Sequence, residues 1–160
     1  MIHRTALVDA SAQVGRDVTV EPYAIVGPHV VLGDGCAIGP HAVLERNVRL
    51  GPGVRIGAGT VLGGPPQDVK YRDEETWVEI GDATVIREYC TINRGTAATG
   101  KTTVGARCFI MTYVHFAHDC HIGNDVIVAN SVQMAGHVRV DDRAIISGLT
   151  PIHQFVHIGT

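Results

Sequence analysis

A large apolar residue recurs at every sixth position along almost the whole chain. Counting from Ile2, 24 of the 27 positions with this spacing hold such a residue, and the run up to Leu62 is unbroken. An amphipathic helix would instead repeat its apolar residues about every 3.6 positions, and a half-buried strand every second position. A period of six is typical of the hexapeptide β-helix, in which short strands meet at turns and one column of apolar side chains points inward.

A second column of the repeat supports this interpretation. Four residues after each apolar position lies a small or β-branched residue, as at Ala12, Val18 and Ala24. Three repeats close one triangular coil, so residues 18 apart in sequence stack in neighbouring coils about 4.8 Å apart. We therefore predict an all-β fold, a parallel β-helix shaped as a triangular prism, in which residues 1–160 form one domain.

Two segments interrupt the period. Residues 64–77 read GPPQDVKYRDEETW, and residues 97–103 read AATGKTT. Both are predicted to be loops extruded from a rigid coil, and loops on rigid scaffolds often carry function. The alternative is that they are tolerated insertions without a role.

Composition and charge argue against several classes of protein. The formal net charge is −3 and the pI is near 6.3, so the chain has no basic footprint for nucleic acid. No apolar run has the length of a membrane span, and the N-terminal residues already follow the repeat rather than a signal-peptide pattern. We expect a cytoplasmic protein.

The four cysteines are predicted to be packing residues. They form no C-x-x-C pair and all fall in the small inward column, where a free thiol behaves as a small apolar group. These residues are Cys36, Cys90, Cys108 and Cys120.

The histidines are concentrated in the last third of the chain. Six of the nine lie after residue 114, where the period is unbroken and residues 18 apart should stack directly. This arithmetic puts His118 beneath Gly136, and Asp119 beneath His137. One edge of the predicted prism therefore collects six residues from three coils: His118, Asp119, Gly136, His137, His153 and Gln154.

Such an edge has the parts of an acyl-transfer site. A neutral imidazole is a natural general base at neutral pH, and a neighbouring carboxylate can orient it. A glycine lets a substrate approach the backbone, whose N–H could stabilise an oxyanion. Short histidine spacings are also compatible with metal ligation, but the H-x4-H pair of the carbonic anhydrases with this architecture is absent, so we expect no metal. Solvated turn histidines without a role are the third interpretation.

Five segments give the chain a family resemblance. They are GGPPQDVKY (63–71), IREYCTINRGT (86–96), HFAHDCHIGN (115–124), AGHVRVDD (135–142) and GLTPIHQF (148–155). Together and in this order they resemble the UDP-N-acetylglucosamine acyltransferases of lipid A biosynthesis. The repeat alone indicates only the hexapeptide superfamily, whereas this combination of motifs is specific.

The resemblance implies a left-handed β-helix that assembles as a homotrimer and uses no cofactor. It implies transfer of an (R)-3-hydroxyacyl group from acyl carrier protein to the 3-hydroxyl of UDP-N-acetylglucosamine, the first step of lipid A biosynthesis. The family's general base falls on His118, with Asp119 beside it, and the oxyanion-hole glycine falls on Gly136. The substrate-binding positions fall on Gln67, Asp68, Lys70, His115, His137, His153 and Gln154.

The chain departs from the family pattern at three places. Asn93 stands where some relatives have His, and no role is carried onto it. Pro151 replaces a more usual Ala and removes one backbone donor. The sequence stops within a repeat, so the family's C-terminal helical domain is expected to be absent. The rival interpretations are another hexapeptide acyltransferase with a different donor or an amino-sugar acceptor, and a non-catalytic structural β-helix.

Overall fold

Three parallel sheets wind around one apolar core in a left-handed β-helix. The structure, a computed structural model, describes all residues from Met1 to Thr160. Every element is a short strand, and no helix is present that has the length and apolarity to cross a membrane. The predicted all-β, left-handed parallel β-helix is confirmed.

The chain visits the three sheets in rotation. The first sheet contains β1 (Leu7–Val8), β4 (Ile25–Val26), β7 (Val43–Leu44), β10 (Val61–Gly64), β13 (Thr91–Asn93), β16 (His115–Phe116), β19 (Gln133–Met134) and β22 (Pro151–Ile152). The second contains β2 (Gln13–Val14), β5 (Val31–Leu32), β8 (Val48–Leu50), β11 (Trp77–Ile80), β14 (Lys101–Val104), β17 (His121–Ile122), β20 (Arg139–Val140) and β23 (His157–Ile158). The third contains β3 (Thr19–Val20), β6 (Ala37–Ile38), β9 (Arg55–Ile56), β12 (Val85–Ile86), β15 (Phe109–Ile110), β18 (Ile127–Val128) and β21 (Ile145–Ile146).

The six-residue column is the core of the coil. Its members from Val20 to Ile152 that lie in strands are buried and form most of a single 36-residue apolar cluster. The column is less well covered at its N-terminal end, where Ile2 and Val14 remain exposed because the first coil has a neighbour on one side only. Burial of this column is the main apolar contribution to stability.

The two loops lie close to the predicted positions, but their boundaries differ. The long loop runs from 65 to 76, because Gly64 ends β10 and Trp77 begins β11. The short loop runs from 94 to 100. The prediction that 101–103 belong to it was wrong, because Lys101–Val104 pair with Trp77–Ile80 as β14.

The loops leave the phase of the repeat unchanged. Paired residues are 18 apart in an uninterrupted coil, as in Leu7 and Ile25. The separation becomes 30 across the long loop, between Val48 and Val78, and 24 across the short loop, between Val78 and Thr102. Both increases are multiples of six, so each loop returns the chain to the same inward column.

The cysteines are all free and buried, as the inward column predicts. Burial raises the pKa of the Cys90 and Cys120 thiols to about 11, and it also raises the pKa of Cys36 and Cys108. The thiolate is the reactive form of cysteine. These thiols should therefore react slowly with reagents, because they are buried and because their raised pKa keeps them protonated.

We therefore predict that the native protein at pH 8 resists a thiol-specific reagent. With a reagent that releases one chromophore for each thiol it modifies, the unfolded protein in denaturant should react at once at all four cysteines. The native protein should react at almost none of them on the same time scale. Rapid labelling of a single thiol under native conditions would contradict the packing role.

Candidate active site

A histidine and an aspartate form a close pair at the corner between the first and second sheets. His118 and Asp119 follow β16, and the distance from His118 Nδ1 to Asp119 Oδ2 is 2.7 Å. The Asp119 side chain is 0% exposed and the His118 side chain 13%. An ionised carboxylate only accepts hydrogen bonds, so Nδ1 carries the proton and Nε2 is left as the free basic nitrogen.

Asp119 is held as a carboxylate despite its burial. Burial is the largest single influence and raises its pKa, but hydrogen bonds from Thr99, His118 and Thr96 together outweigh it and leave the pKa below its ordinary value. The Thr96 N–H donates to Oδ1 at 2.9 Å, and the Thr96 hydroxyl donates to Oδ2 at 2.7 Å. The Thr99 hydroxyl donates to Oδ1 as well. The carboxylate is therefore negative at neutral pH, beside the imidazole.

Gly136 lies directly against the His118 ring, one coil above it. A Cβ atom at this position would lie 2.6 Å from His118 Cε1 and 2.8 Å from Nε2. The glycine is needed for this close approach rather than for an unusual φ. The predicted stacking of His118 under Gly136 is confirmed by this contact and by the hydrogen bond from the His137 N–H to the His118 carbonyl at 3.1 Å.

The Gly136 N–H donates to no acceptor in the protein. It occupies the second position after an inward apolar residue, a place where the coil does not require a donor. Proline, which has no N–H, fills the same place in four repeats of two other coils. These prolines are Pro22, Pro28, Pro40 and Pro52. The Gly136 N–H is thus available to a ligand without any cost to the backbone ladder.

His118 lines a groove of about 700 Å³ along the first sheet. One residue, Gln67, reaches it from the long loop, and the others come from the successive coils that contain β16, β19 and β22. Its lining is Gln67, His115, Ala117, His118, Gln133, Met134, Ala135, Gly136, Pro151, Ile152, His153 and Gln154. Six of the twelve lining residues carry polar side chains, and four are hydrophobic. A concave surface that combines apolar walls with placed polar groups is typical of a small-molecule site.

Two of the predicted histidines have defined environments. His115 lies 2.7 Å from the Thr91 hydroxyl, and burial lowers its pKa, so it is neutral at neutral pH. His137 lies edge-on to His118 with ring centroids 5.1 Å apart, and its other side stacks on Phe155 at 4.7 Å. His137 therefore packs behind His118 rather than lining the groove.

Two predicted residues lie away from the groove within one chain. The Asp68 carboxylate accepts the Lys70 N–H at 2.9 Å, which closes a turn in the long loop. Neither Asp68 nor Lys70 is among the lining residues. Of the predicted set, the structure brings Gln67, His115, His118, Gly136, His153 and Gln154 to the groove and leaves these two on the loop surface.

Sequence reasoning missed the residues that hold the loops. Arg94 is only 2% exposed, and its guanidinium donates to the Gly63 carbonyl and, at 2.9 Å, to the Tyr71 hydroxyl. It thereby fastens the long loop to the coil. The sequence does contain a signal for this role of Arg94: it is a charged residue that directly follows a strand, at the start of the short loop.

The His118, Asp119 and His137 ligand atoms all lie within 4.8 Å of one another. The donor set nevertheless fits an acid–base pair better than a metal centre. A carboxylate has about four lone-pair positions, and those of Asp119 already accept two bonds from Thr96, one from Thr99 and one from His118. A metal ion would have to displace one of these donors.

We predict that Gly136→Ala displaces the His118 ring, because the new methyl group cannot occupy the space that the imidazole fills. Overpacking of this kind costs about 1–3 kcal/mol of unfolding free energy. Thermal unfolding should detect this loss, and the His118 ring resonances should shift in NMR spectra. Gly159→Ala, where an added Cβ meets nothing within 4 Å, is the matched control. An unshifted His118 in the Gly136 variant would contradict the proposed contact.

The repeat matches a known family. The family described as bacterial transferase hexapeptide (six repeats) matches residues 11–46, 29–64 and 101–136. Two curated relatives are named acyl-[acyl-carrier-protein]--UDP-N-acetylglucosamine O-acyltransferase. The relative from Albidiferax ferrireducens is 55% identical over 99% of this chain and 60% of its own length. The one from Campylobacter concisus is 46% identical over 99% of this chain and 61% of its own length.

Solved structures agree with the sequence relatives. LpxA from Acinetobacter baumannii superposes with a TM-score of 0.98 at 41% identity, covering 99% of this chain and 62% of that one. LpxA from Bacteroides fragilis, a UDP-N-acetylglucosamine acyltransferase, has a TM-score of 0.74 at 32% identity, covering 94% of this chain and 69% of that one. The chain spans about three fifths of the length of the curated relatives it matches. On these matches, the chain belongs to the UDP-N-acetylglucosamine acyltransferase family of hexapeptide-repeat proteins.

Proposed function

We propose that this chain carries the catalytic site of an O-acyltransferase that moves an (R)-3-hydroxyacyl group from acyl carrier protein to the 3-hydroxyl of UDP-N-acetylglucosamine. The observation that carries the proposal is the His118–Asp119 pair, whose imidazole lies against Gly136 at the wall of an open groove. The Gly136 N–H has no acceptor in the protein. The names of the relatives specify the substrates, and the family's reaction needs no cofactor.

The geometry supports a reaction with one base and no covalent intermediate. His118 Nε2 takes the proton of the sugar hydroxyl while the hydroxyl oxygen forms a bond to the thioester carbon. The oxyanion that develops accepts a hydrogen bond from the Gly136 N–H. When the C–S bond breaks, the proton on His118 passes to the departing sulfur. Asp119 stabilises the transient imidazolium and keeps Nε2 directed at the groove.

The remaining residues are proposed to bind the substrate. Gln67, His115, His153 and Gln154 line the groove and offer polar groups to a ligand. His137 is proposed to act by supporting His118, since it stacks behind that ring. For Asp68 and Lys70, which lie on the surface of the long loop, we propose contact with substrate held by a neighbouring subunit.

The distribution of side chains supports a homotrimer. On the second sheet, outward side chains form the ion-pair chain Arg49–Glu79–Lys101. On the third sheet they include Ile127 and Ile145, and Ile145 is 74% exposed in the single chain. Because large apolar side chains on a sheet face favour burial against a partner, we propose that the third sheet packs against another subunit while the second faces water. We also propose that residues 1–160 act as one β-helix domain, in the cytoplasm.

We predict that Ile127→Glu together with Ile145→Glu dissociates the trimer, because a charged pair in the subunit contact would lose its hydration. Sedimentation should then give the mass of a monomer for the double variant and three times that mass for the native chain. His121→Glu on the second sheet is the control and should leave the assembly unchanged. A native chain that sediments as a monomer would contradict the proposed assembly.

We predict that His118→Ala lowers acyl transfer by about 10²–10⁴-fold, the usual contribution of a positioned base. The assay is transfer from hydroxyacyl carrier proteins of several chain lengths to UDP-N-acetylglucosamine. His121→Ala is the matched control, since its ring bonds the Thr103 hydroxyl on the second sheet, away from the groove. Near-native turnover of the His118 variant, with normal thermal unfolding, would refute the assignment.

A further inference from the structure

The short loop, residues 94–100, makes several hydrogen bonds to the Asp119 carboxylate. It leaves the coil after β13, returns at β14, and places three donors on the Asp119 carboxylate. Two belong to Thr96, its N–H at 2.9 Å from Oδ1 and its hydroxyl at 2.7 Å from Oδ2. The third is the Thr99 hydroxyl on Oδ1. The proposed reaction uses Asp119 but gives this loop no role.

We infer that Thr96 and Thr99 are positioning residues, which hold the orientation and the charge of Asp119 and through it set the basicity of His118. This inference deepens the proposed function and rests on it for the catalytic consequence. The residues act through Asp119, and neither lines the groove.

Burial makes these donors necessary. The Asp119 side chain has no exposed surface, so water cannot solvate its charge, and a buried carboxylate without donors takes up a proton instead. With both threonines in place, the one remaining direction on Oδ2 is occupied by His118 Nδ1 at 2.7 Å. The loop therefore fixes both the ionisation of the carboxylate and the tautomer of the imidazole.

The hydroxyls are oriented as donors by their own surroundings. Thr96 Oγ1 accepts the Ala98 N–H at 3.2 Å, which leaves its proton for Asp119. The Thr99 hydroxyl lies 2.9 Å from the Lys101 carbonyl and shares its proton between that carbonyl and Asp119. An ionised carboxylate can only accept, so both threonines must donate to it.

The loop is closed and rigid rather than an open flap. The Gly100 N–H donates to the Thr96 carbonyl at 2.8 Å, and Gly100 has a φ of +77°, which favours glycine. Gly95 lies so close to the next strand that a Cβ there would be 2.3 Å from the Lys101 nitrogen. From the coil side, Thr102 Oγ1 accepts the Asp119 N–H at 2.9 Å. The donors are thus preorganised around the carboxylate.

Few other charges can influence the pair. His137 Nε2 lies 3.7 Å from Asp119 Oδ2 and is the other titratable group that faces the carboxylate. The Cys120 thiol follows in sequence and stays neutral, because its pKa is about 11. A change at Thr96 or Thr99 should therefore act mainly on His118, with His137 monitored as a second reporter.

The test is a titration of the histidine rings by NMR in the native chain, Thr96→Val and Thr99→Val. Loss of one hydroxyl leaves three of the four donors, so the carboxylate stays ionised, but its charge is less compensated and the imidazolium beside it is stabilised more. We expect the protonation midpoint of His118 to rise by roughly 0.5–1 pH unit in each variant. The acid limb of kcat/KM should move upward with it, and kcat at neutral pH should fall roughly tenfold as the carboxylate loses its orientation.

Two variants separate positioning from simple stability. Thr84 is a buried threonine of the same kind, whose hydroxyl donates to the Gly105 carbonyl at 2.7 Å and accepts the Cys108 N–H at 3.0 Å, far from the pair. Thr84→Val should lower the unfolding temperature and leave the His118 midpoint unchanged. Thr96→Ser keeps the hydroxyl and should restore the native midpoint.

The inference is overturned if Thr96→Val and Thr99→Val lose stability as Thr84→Val does while the midpoint and tautomer of His118 stay native. Should Thr96→Val fail to fold, Thr99→Val decides in the same way, since it also removes one hydroxyl donor from the Asp119 carboxylate. The titration needs no turnover. Absence of acyl transfer in the native chain would therefore count against the proposed function, whereas an unmoved His118 midpoint would count against the role of the loop.

Discussion

Coil-to-coil stacking is the constraint on which the rest of this structure depends. Each short strand hydrogen-bonds to the equivalent strand one coil away, and the inward apolar column prevents the register from slipping. A shift by one residue would turn the apolar column outward along a whole face. The register is therefore tightly specified. In an uninterrupted coil, the relative positions of residues 18 apart are fixed by the backbone, even where their side chains do not touch.

The candidate site uses this rigidity directly. His118, Gly136 and Gln154 occupy equivalent places in three successive coils, and the Phe155 N–H bonds the Gly136 carbonyl at 3.2 Å as the His137 N–H bonds that of His118. The distance between the proposed base and the proposed oxyanion donor is thus set by the backbone ladder. A site built on such a ladder needs no closing motion to bring its parts together, which is an effective form of preorganisation.

The buried charge of Asp119 needs hydrogen-bond donors that the apolar core of the β-helix does not provide. The short loop surrounds Asp119 with donors, and Arg94 at its start fastens the long loop through the Gly63 carbonyl and the Tyr71 hydroxyl. Both loops emerge from neighbouring coils and are fixed to the scaffold by buried hydrogen bonds, so they extend the precision of the coil to residues that the repeat itself cannot place.

The sequence by itself determined the fold class, the inward column, the buried cysteines and the stacking of His118 under Gly136, because the backbone ladder converts a six-residue period into positions in space. It also determined the approximate place of each insertion, although not the boundaries of the loops, and the short loop lies three residues earlier than predicted. Only the tertiary structure decided which loop residues meet the site. Thr96 and Thr99 lie 23 and 20 residues from Asp119 and Gln67 lies 51 from His118, separations that no multiple of 18 describes. Where the chain leaves the stacked strands, its path is set by individual side-chain contacts. These contacts do not follow the six-residue repeat, so the sequence pattern cannot predict them.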